Sequence, residues 1–446
     1  MPIALPGSPP FALRARVVSP LGDGGTLDVR DGVVAVDANG GITFVGEAGA
    51  ASDELLAGAV DVRPWVVMPG MVDLHAHLPQ LPNAGLGFAL DLLTWLDRLT
   101  FPTERSWADP AVAASLVPSI FRAFAAAGTT TVLAYGVVYK AAMDEAFRAA
   151  EAHGIRAILG KVMMDRITYD PTIEPSSILS RSLRESADLA ARWHGADSGR
   201  LGYAVTPRFA VSCTADLLRE SAALARSTGA WWQTHVSEDR GEIAEVARLF
   251  PSALDYVDVY DQAGGLGERS VLAHAIHLSP REVARLAETR TRIAHCPASN
   301  LFIGAGVMPL GAWRDADLVV GLGSDVSGGP DPSLFSVMRM GAYAQMARRS
   351  FAPEAGAPLG PLEWLRLGSL EGARALRLDH RIGSVEAGKE ADLIVVDPSL
   401  TAPLRDRDDG GASLDAQSLA SRLIFRAHPD MVRGAWVRGR LLAGAS

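Results

Sequence analysis

The sequence predicts an α/β protein: a (β/α)8 TIM barrel with a small flanking β-sandwich domain to which both chain ends contribute. Three observations carry this expectation. The 446 residues exceed the roughly 250 that such a barrel needs, leaving enough for one smaller domain. Short β-like runs occur at both ends. Between them, apolar strand-like runs alternate with Ala/Arg/Glu-rich helical segments, the texture of a parallel sheet.

Taken in order, Leu13–Val18, Val33–Val36 and Ile42–Val45 are strand-like and separated by Gly-Asp and Asn-Gly turns. Residues 1–69 therefore read as small antiparallel sheet, the first part of the sandwich. Candidate barrel strands are VVMPGMVDLH (Val66–His75), TTTVLAYG (Thr129–Gly136), RAILGKVM (Arg156–Met163) and GYAVTP (Gly202–Pro207). They continue with AWWQTHV (Ala230–Val236), SVLAHAI (Ser270–Ile276), TRIAHCP (Thr291–Pro297) and LVVGLGSD (Leu318–Asp325). Eight such runs suffice to close a barrel, assigned to residues 70–380. Ala391–Val396 and Met431–Leu442 return to strand texture, so 381–446 complete the terminal domain.

Composition narrows the function classes. Hydrophobic residues make up 48% and charged residues 21% of the chain, as in an ordinary globular protein with a sizeable core. The net charge of −9 comes without a basic run, which argues against nucleic acid or an anionic membrane as partner and for a small-molecule substrate. Two cysteines, Cys213 and Cys296, cannot build a disulfide framework or a Cys-rich zinc module. With no signal-peptide pattern or apolar span, a cytoplasmic location is expected.

Polar residues collect at the C-terminal ends of the candidate strands, where barrel enzymes place their chemistry. His75 and His77 lie two apart on a strand and so share a face. His235 stands near the end of AWWQTHV, and Asp325 ends LVVGLGSD. Three imidazoles and one carboxylate suit a divalent cation such as zinc, and they leave a coordination position for water. Glu238, three residues after His235, could carry protons. His274 could hold and polarise the water. Singly, each has a duller reading: a strand histidine as core, Asp325 as a turn or helix cap. Their joint recurrence at successive strand ends favours a metal site. His295 ends a strand too, but reads as structural support rather than ligand. His153, His194, His380 and His428 have no such setting.

The segments PGMVDLHAHLPQ, TPRFAVSC, QTHVSE, LAHAIHLS, IAHCPASN and GLGSDVSGG resemble the amidohydrolase superfamily, specifically its guanine deaminases. Finer matches are His75–Gln80, Leu92–Glu104, Val205–Phe209 and Lys161–Asp165, and the resemblance spans nearly the whole chain. It implies one divalent metal ion per chain, zinc or alternatively Fe2+, on His75, His77, His235 and Asp325. It also implies Glu238 as proton shuttle, His274 beside the attacking water, and a homodimer. Gln80, Arg208 and Phe209 would face the purine, with Trp95 helping to cover it. On residue grounds alone, Arg208 reads as a surface residue and Trp95 as core. The implied reaction is hydrolytic deamination of guanine at C2 to xanthine and ammonia, with Asp325 helping to take the proton from water.

Other readings keep the scaffold. The substrate could instead be cytosine, a triazine or another aminopurine; Gln80 and Arg208 favour guanine. Lys161 at a strand end raises a two-metal site bridged by a carboxylated lysine, discounted because KVMMD belongs to the resemblance. A non-catalytic scaffold need not keep every ligand and the shuttle, and here all are present. A cytidine-deaminase zinc site needs PCxxC, which is absent. Two departures stand out: Arg181–Gly199, read as a surface insertion, and Leu99, where an aromatic is expected.

Overall fold

The computed structural model describes residues 3–170, 172, 174–352 and 357–444. Strands β1 (Phe11–Pro20), β2 (Thr26–Val36), β3 (Ile42–Glu47) and β4 (Val60–Pro69) precede the barrel. The barrel strands are β5 (Met71–His77), β6 (Thr129–Tyr135), β7 (Arg156–Gly160), β9 (Leu201–Pro207), β10 (Trp231–Val236), β11 (Ser270–His274), β12 (Arg292–His295) and β13 (Val319–Leu322). A short β8 (Val162–Met163) extends β7 and pairs with β9. All pairings in this sheet are parallel. The ring nearly closes between its first and last strands, where Asp325 N–H donates to His75 O at 2.7 Å and His77 N–H to Val326 O at 3.0 Å.

The barrel forms because its strands are buried on both faces. Leu133, Ala204 and Ala273 fill the interior, while Val132, Val205 and Leu272 meet the surrounding helices. Period-two alternation thus appears as continuous apolar runs. The run Val66–His75, expected as one strand, is two elements joined at Gly70. Its first half belongs to the terminal sheet. A side chain at Gly70 would meet Thr130 Oγ1 at 2.1 Å, so only glycine lets the chain pass from one sheet to the other.

The two chain ends do join, through β14 (Leu393–Val396), β15 (Val432–Val437) and β16 (Arg440–Leu441). They form one continuous seven-stranded sheet in the order β16-β15-β14-β4-β1-β2-β3 rather than two separately paired layers. It is mixed, not purely antiparallel, because β1 pairs parallel with β4. Leu13, Ala15, Val17, Val67, Leu393 and Val395 form its own core. The alternate residues Val18, Val66, Met68, Ile394 and Val396 join the core of the barrel. One sheet therefore buries both faces, and alternation seals the domain to its neighbour.

Arg181–Gly199 is not a surface insertion. Most of it lies in the helix Ile178–Trp193, which buries Ser182, Ser186, Leu189, Ala190 and Trp193. The spacing is that of one helix face.

Candidate active site

Each strand ends where its apolar run gives way to a sharp turn, and the turns aim the polar side chains inward. Ser237, His274 and Asp325 hold positive φ values of 48°, 74° and 48°, a region non-glycine residues avoid at a cost of order 1 kcal/mol or more. The surrounding fold bears that strain at the strand ends carrying the polar residues.

His75, His77, His235, His274, Glu238 and Asp325 converge and are all buried. Asp325 Oδ1 lies 3.1 Å from His75 Nε2 and 3.3 Å from His77 Nε2. His235 Nε2 is 3.3 Å from His77 Nε2. Separations of this size are those of neighbouring donor atoms around an ion about 2.0 Å from each, the bond length of a zinc-type site. His75 Nε2 has no hydrogen-bond partner among the described residues. His235 Nδ1 is 2.6 Å from the Arg208 carbonyl and donates to it, so Nε2 carries the lone pair inward. Bare imidazole lone pairs packed around a carboxylate repel one another unless a cation lies between them, so the residues fit a divalent metal.

Burial dominates the protonation of the cluster. It pushes His235 well below the usual imidazole range and His274 down to about 4, so both rings are neutral. Glu238 is pushed well above the usual carboxyl range by burial and by the Asp325 charge. His274 Nδ1 donates to Asn300 Oδ1 at 2.9 Å. Its Nε2 then faces Glu238 Oε2 at 3.4 Å and Asp325 Oδ2 at 3.8 Å.

Above the cluster opens a pocket lined by His77, His235, Glu238, His274 and Asp325 on its floor and by Gln80, Trp95, Arg208 and Phe209 on its walls. Leu92, Leu96, Ser299, Ile303 and Gly328 complete the lining. All residues expected to hold the metal, carry protons or face the base line this pocket except His75, which is buried beside Asp325. Arg208 is 2% exposed; it is a pocket residue, not a surface one.

His295 is buried, and both its ring nitrogens lack a partner among the described residues. It is not among the grouped donors. Lys161 Nζ turns to Ser182 Oγ and Glu185 Oε2, each at 3.2 Å, on the helix Ile178–Trp193. It serves the barrel wall and bridges no metal cluster among the described residues.

Sequence reasoning missed two residues. Asn300 fixes the His274 tautomer. Glu104 binds both Gln80 and Arg208. Both lie inside segments that carry the resemblance, IAHCPASN and Leu92–Glu104, but nothing local marks their roles.

A polar cluster of this composition at the C-terminal mouth of a parallel barrel defines a metal-dependent hydrolase of the amidohydrolase class. The amidohydrolase family matches residues 66–442. The chain is 38% identical over 415 residues to the probable guanine deaminase of Deinococcus radiodurans, covering 92% of each chain. It superposes on E. coli guanine deaminase with a TM-score of 0.86 at 31% identity, covering 97% of this chain and 98% of that one. For C. acetobutylicum guanine deaminase, solved with guanine in its active site, the TM-score is 0.89 at 26% identity, with 97% and 99% covered. The chain belongs to the guanine deaminase family of amidohydrolases.

Proposed function

We propose that this protein hydrolyses guanine to xanthine and ammonia. The observation that carries the reading is a buried guanidinium, Arg208, in the wall of the pocket whose floor is the histidine–aspartate cluster. Arginine is a permanent donor suited to a ring carbonyl. The name shared by the relatives above supports the same substrate.

His75, His77, His235 and Asp325 would hold one divalent ion, zinc by donor type and Fe2+ as the alternative. When bound, such an ion supplies a Lewis acid that makes water nucleophilic near neutral pH. The chain's own residues do the rest. Arg208 meets the C6 oxo group, Gln80 the adjacent ring edge, and Phe209 and Trp95 hold the base so that C2 lies over the cluster. His274 Nε2, bare because Nδ1 donates to Asn300, accepts a hydrogen bond from the attacking water. Asp325 takes the water proton. Glu238, held protonated, delivers its proton to the ring nitrogen beside C2; the carboxylate so formed takes the proton of the new C2 hydroxyl and passes it to the departing amine, and the proton on Asp325 returns to Glu238. Ammonia leaves and the C2 oxo group remains.

The test is ammonia release from guanine, 8-oxoguanine, adenine, cytosine and triazines, on protein of assayed metal content. Guanine should give the highest kcat/KM. A protein that prefers cytosine or a triazine would retain the class and lose the substrate.

The proposal extends to a cytoplasmic homodimer. Cys213 and Cys296 are buried free thiols, as suits a reducing compartment. Among the described residues no helix is long and apolar enough to cross a membrane. Tyr343 and Met346 expose apolar surface on one helix, available to a second copy. A solution mass of twice 47.1 kDa is expected.

A further inference from the structure

Glu104, on the short helix Phe101–Arg105, is fully buried yet does not line the pocket. It sits behind the wall. Its carboxylate accepts from Gln80 Nε2 at 2.7 Å and from Arg208 Nη1 at 2.6 Å. The guanidinium also lies over the Phe101 ring, 5.3 Å from its centroid. The same side chain therefore grips both residues that would read the base.

A carboxylate accepts hydrogen bonds and does not donate them. The Gln80 amide, which alone could face the pocket with either end, is thereby held with nitrogen toward Glu104. Its other end, Oε1, is buried without a partner. An unpaired buried acceptor is costly unless a ligand supplies a donor. Arg208, anchored through Nη1, keeps its remaining N–H groups for a carbonyl.

We propose that Glu104 is the positioning residue that sets the hydrogen-bond polarity of the pocket, presenting Gln80 as acceptor beside Arg208 as donor. The inference rests on the guanine reading and deepens it. With C2 over the cluster, guanine N1–H meets Gln80 Oε1 and the C6 oxo group meets Arg208. The substrate class is then a 2-amino heterocycle with a ring N–H next to a ring carbonyl. A base with a bare nitrogen at that position, such as 2-aminopurine, places acceptor against acceptor.

The consequence is a reversible polarity. In Glu104→Gln the new amide keeps Arg208 by its oxygen and turns its NH2 toward residue 80. Gln80 must rotate to accept it and then shows NH2 to the pocket. The double variant Gln80→Glu/Glu104→Gln exchanges carboxylate and amide and restores an acceptor. The readout is the ratio of kcat/KM for guanine to that for 2-aminopurine, with metal content and thermal midpoint measured on each protein. The single variant should lower the ratio on the order of 100-fold, through loss on guanine alone. The double variant should recover most of it. Equal slowing of both substrates in the single variant, or an unchanged ratio, overturns the proposal. If the single variant does not fold, the double variant decides: a ratio near wild type supports the inference, and a collapsed ratio overturns it. Wild-type protein that releases no ammonia from guanine defeats the substrate reading first and this inference with it; an active wild type with the wrong ratios defeats this inference alone.

Discussion

The barrel carries two polar clusters, one at each end of its strands, and they are built on opposite rules. At the domain junction Arg156, the first residue of β7, meets Asp392 Oδ2 at 3.0 Å and Glu390 Oε2 at 2.5 Å. Arg381 and Arg438 also bind Glu390, and the Arg438 N–H donates to Asp392 Oδ1 at 2.9 Å. Within this cluster, among the described residues, only Arg156 Nη1 is left over. At the other end, His75, His77, Gln80, Ser299 and Asn300 all keep a buried atom without a partner among the described residues. Charge that is matched within the chain holds domains together; polar atoms left unmatched wait for something from outside.

The largest effect should come from breaking the unmatched cluster at its centre. His235→Ala should abolish both bound metal and ammonia release, read by elemental analysis and turnover, as should chelation of the wild type. Undiminished turnover in metal-free protein would contradict the mechanism. Glu238→Gln should keep the metal and lose on the order of 10³ in kcat, because an amide of the same shape moves no proton. Arg208→Met should keep the metal and lose roughly 100-fold in guanine kcat/KM, the value of a charged hydrogen bond of about 3 kcal/mol.

The matched cluster should respond the other way. Arg156→Met leaves the buried Asp392 carboxylate without a cationic partner, while Glu390 keeps Arg381 and Arg438, and should cost about 3 kcal/mol of stability, with kcat/KM of the folded fraction unchanged. Denaturant titration alongside steady-state kinetics separates the two. The smallest effect is on acid tolerance. Burial works to raise the Glu390 carboxyl, but Arg156, Arg381 and Arg438 outweigh it and pull it down to about 2. A depressed carboxyl stabilises fully above its unfolded pKa of about 4.3 and loses that contribution as pH falls through the folded value. Between about pH 5 and about pH 2 the thermal midpoint of the wild type should therefore fall further than that of Glu390→Gln. Parallel curves would remove Glu390 from the account.

These contrasts also explain what the sequence revealed. Barrel strands and the histidines at their ends are local signals: an apolar run, a HxH pair, a turn. The chemistry of the metal cluster was legible for that reason. Glu104 was not, because its partners lie 24 and 104 residues away, and no local pattern encodes which carboxylate meets which arginine. The junction spans 234 and 236 residues and was equally silent. Alternation in the terminal segments fixed which residues face inward but not which strands are neighbours, so one mixed sheet was expected as a sandwich. The helix Ile178–Trp193 was misread as surface because its buried face carries Ser182 and Ser186 where an apolar stripe would have announced it.

The near-closure of the ring between β5 and β13 falls where His75, His77 and Asp325 stand, so three of the four proposed ligands come from opposite lips of one seam. An ion held there acts as a clasp joining residues some 250 positions apart in the chain, and its binding energy is shared with the closed state of the ring. Stripping the ion should then unfasten the seam before the rest of the barrel. Amide protons of β5 and the Ser324–Val326 turn should exchange with solvent faster in the stripped protein, while those of β7 and β9, on the far side, keep their protection.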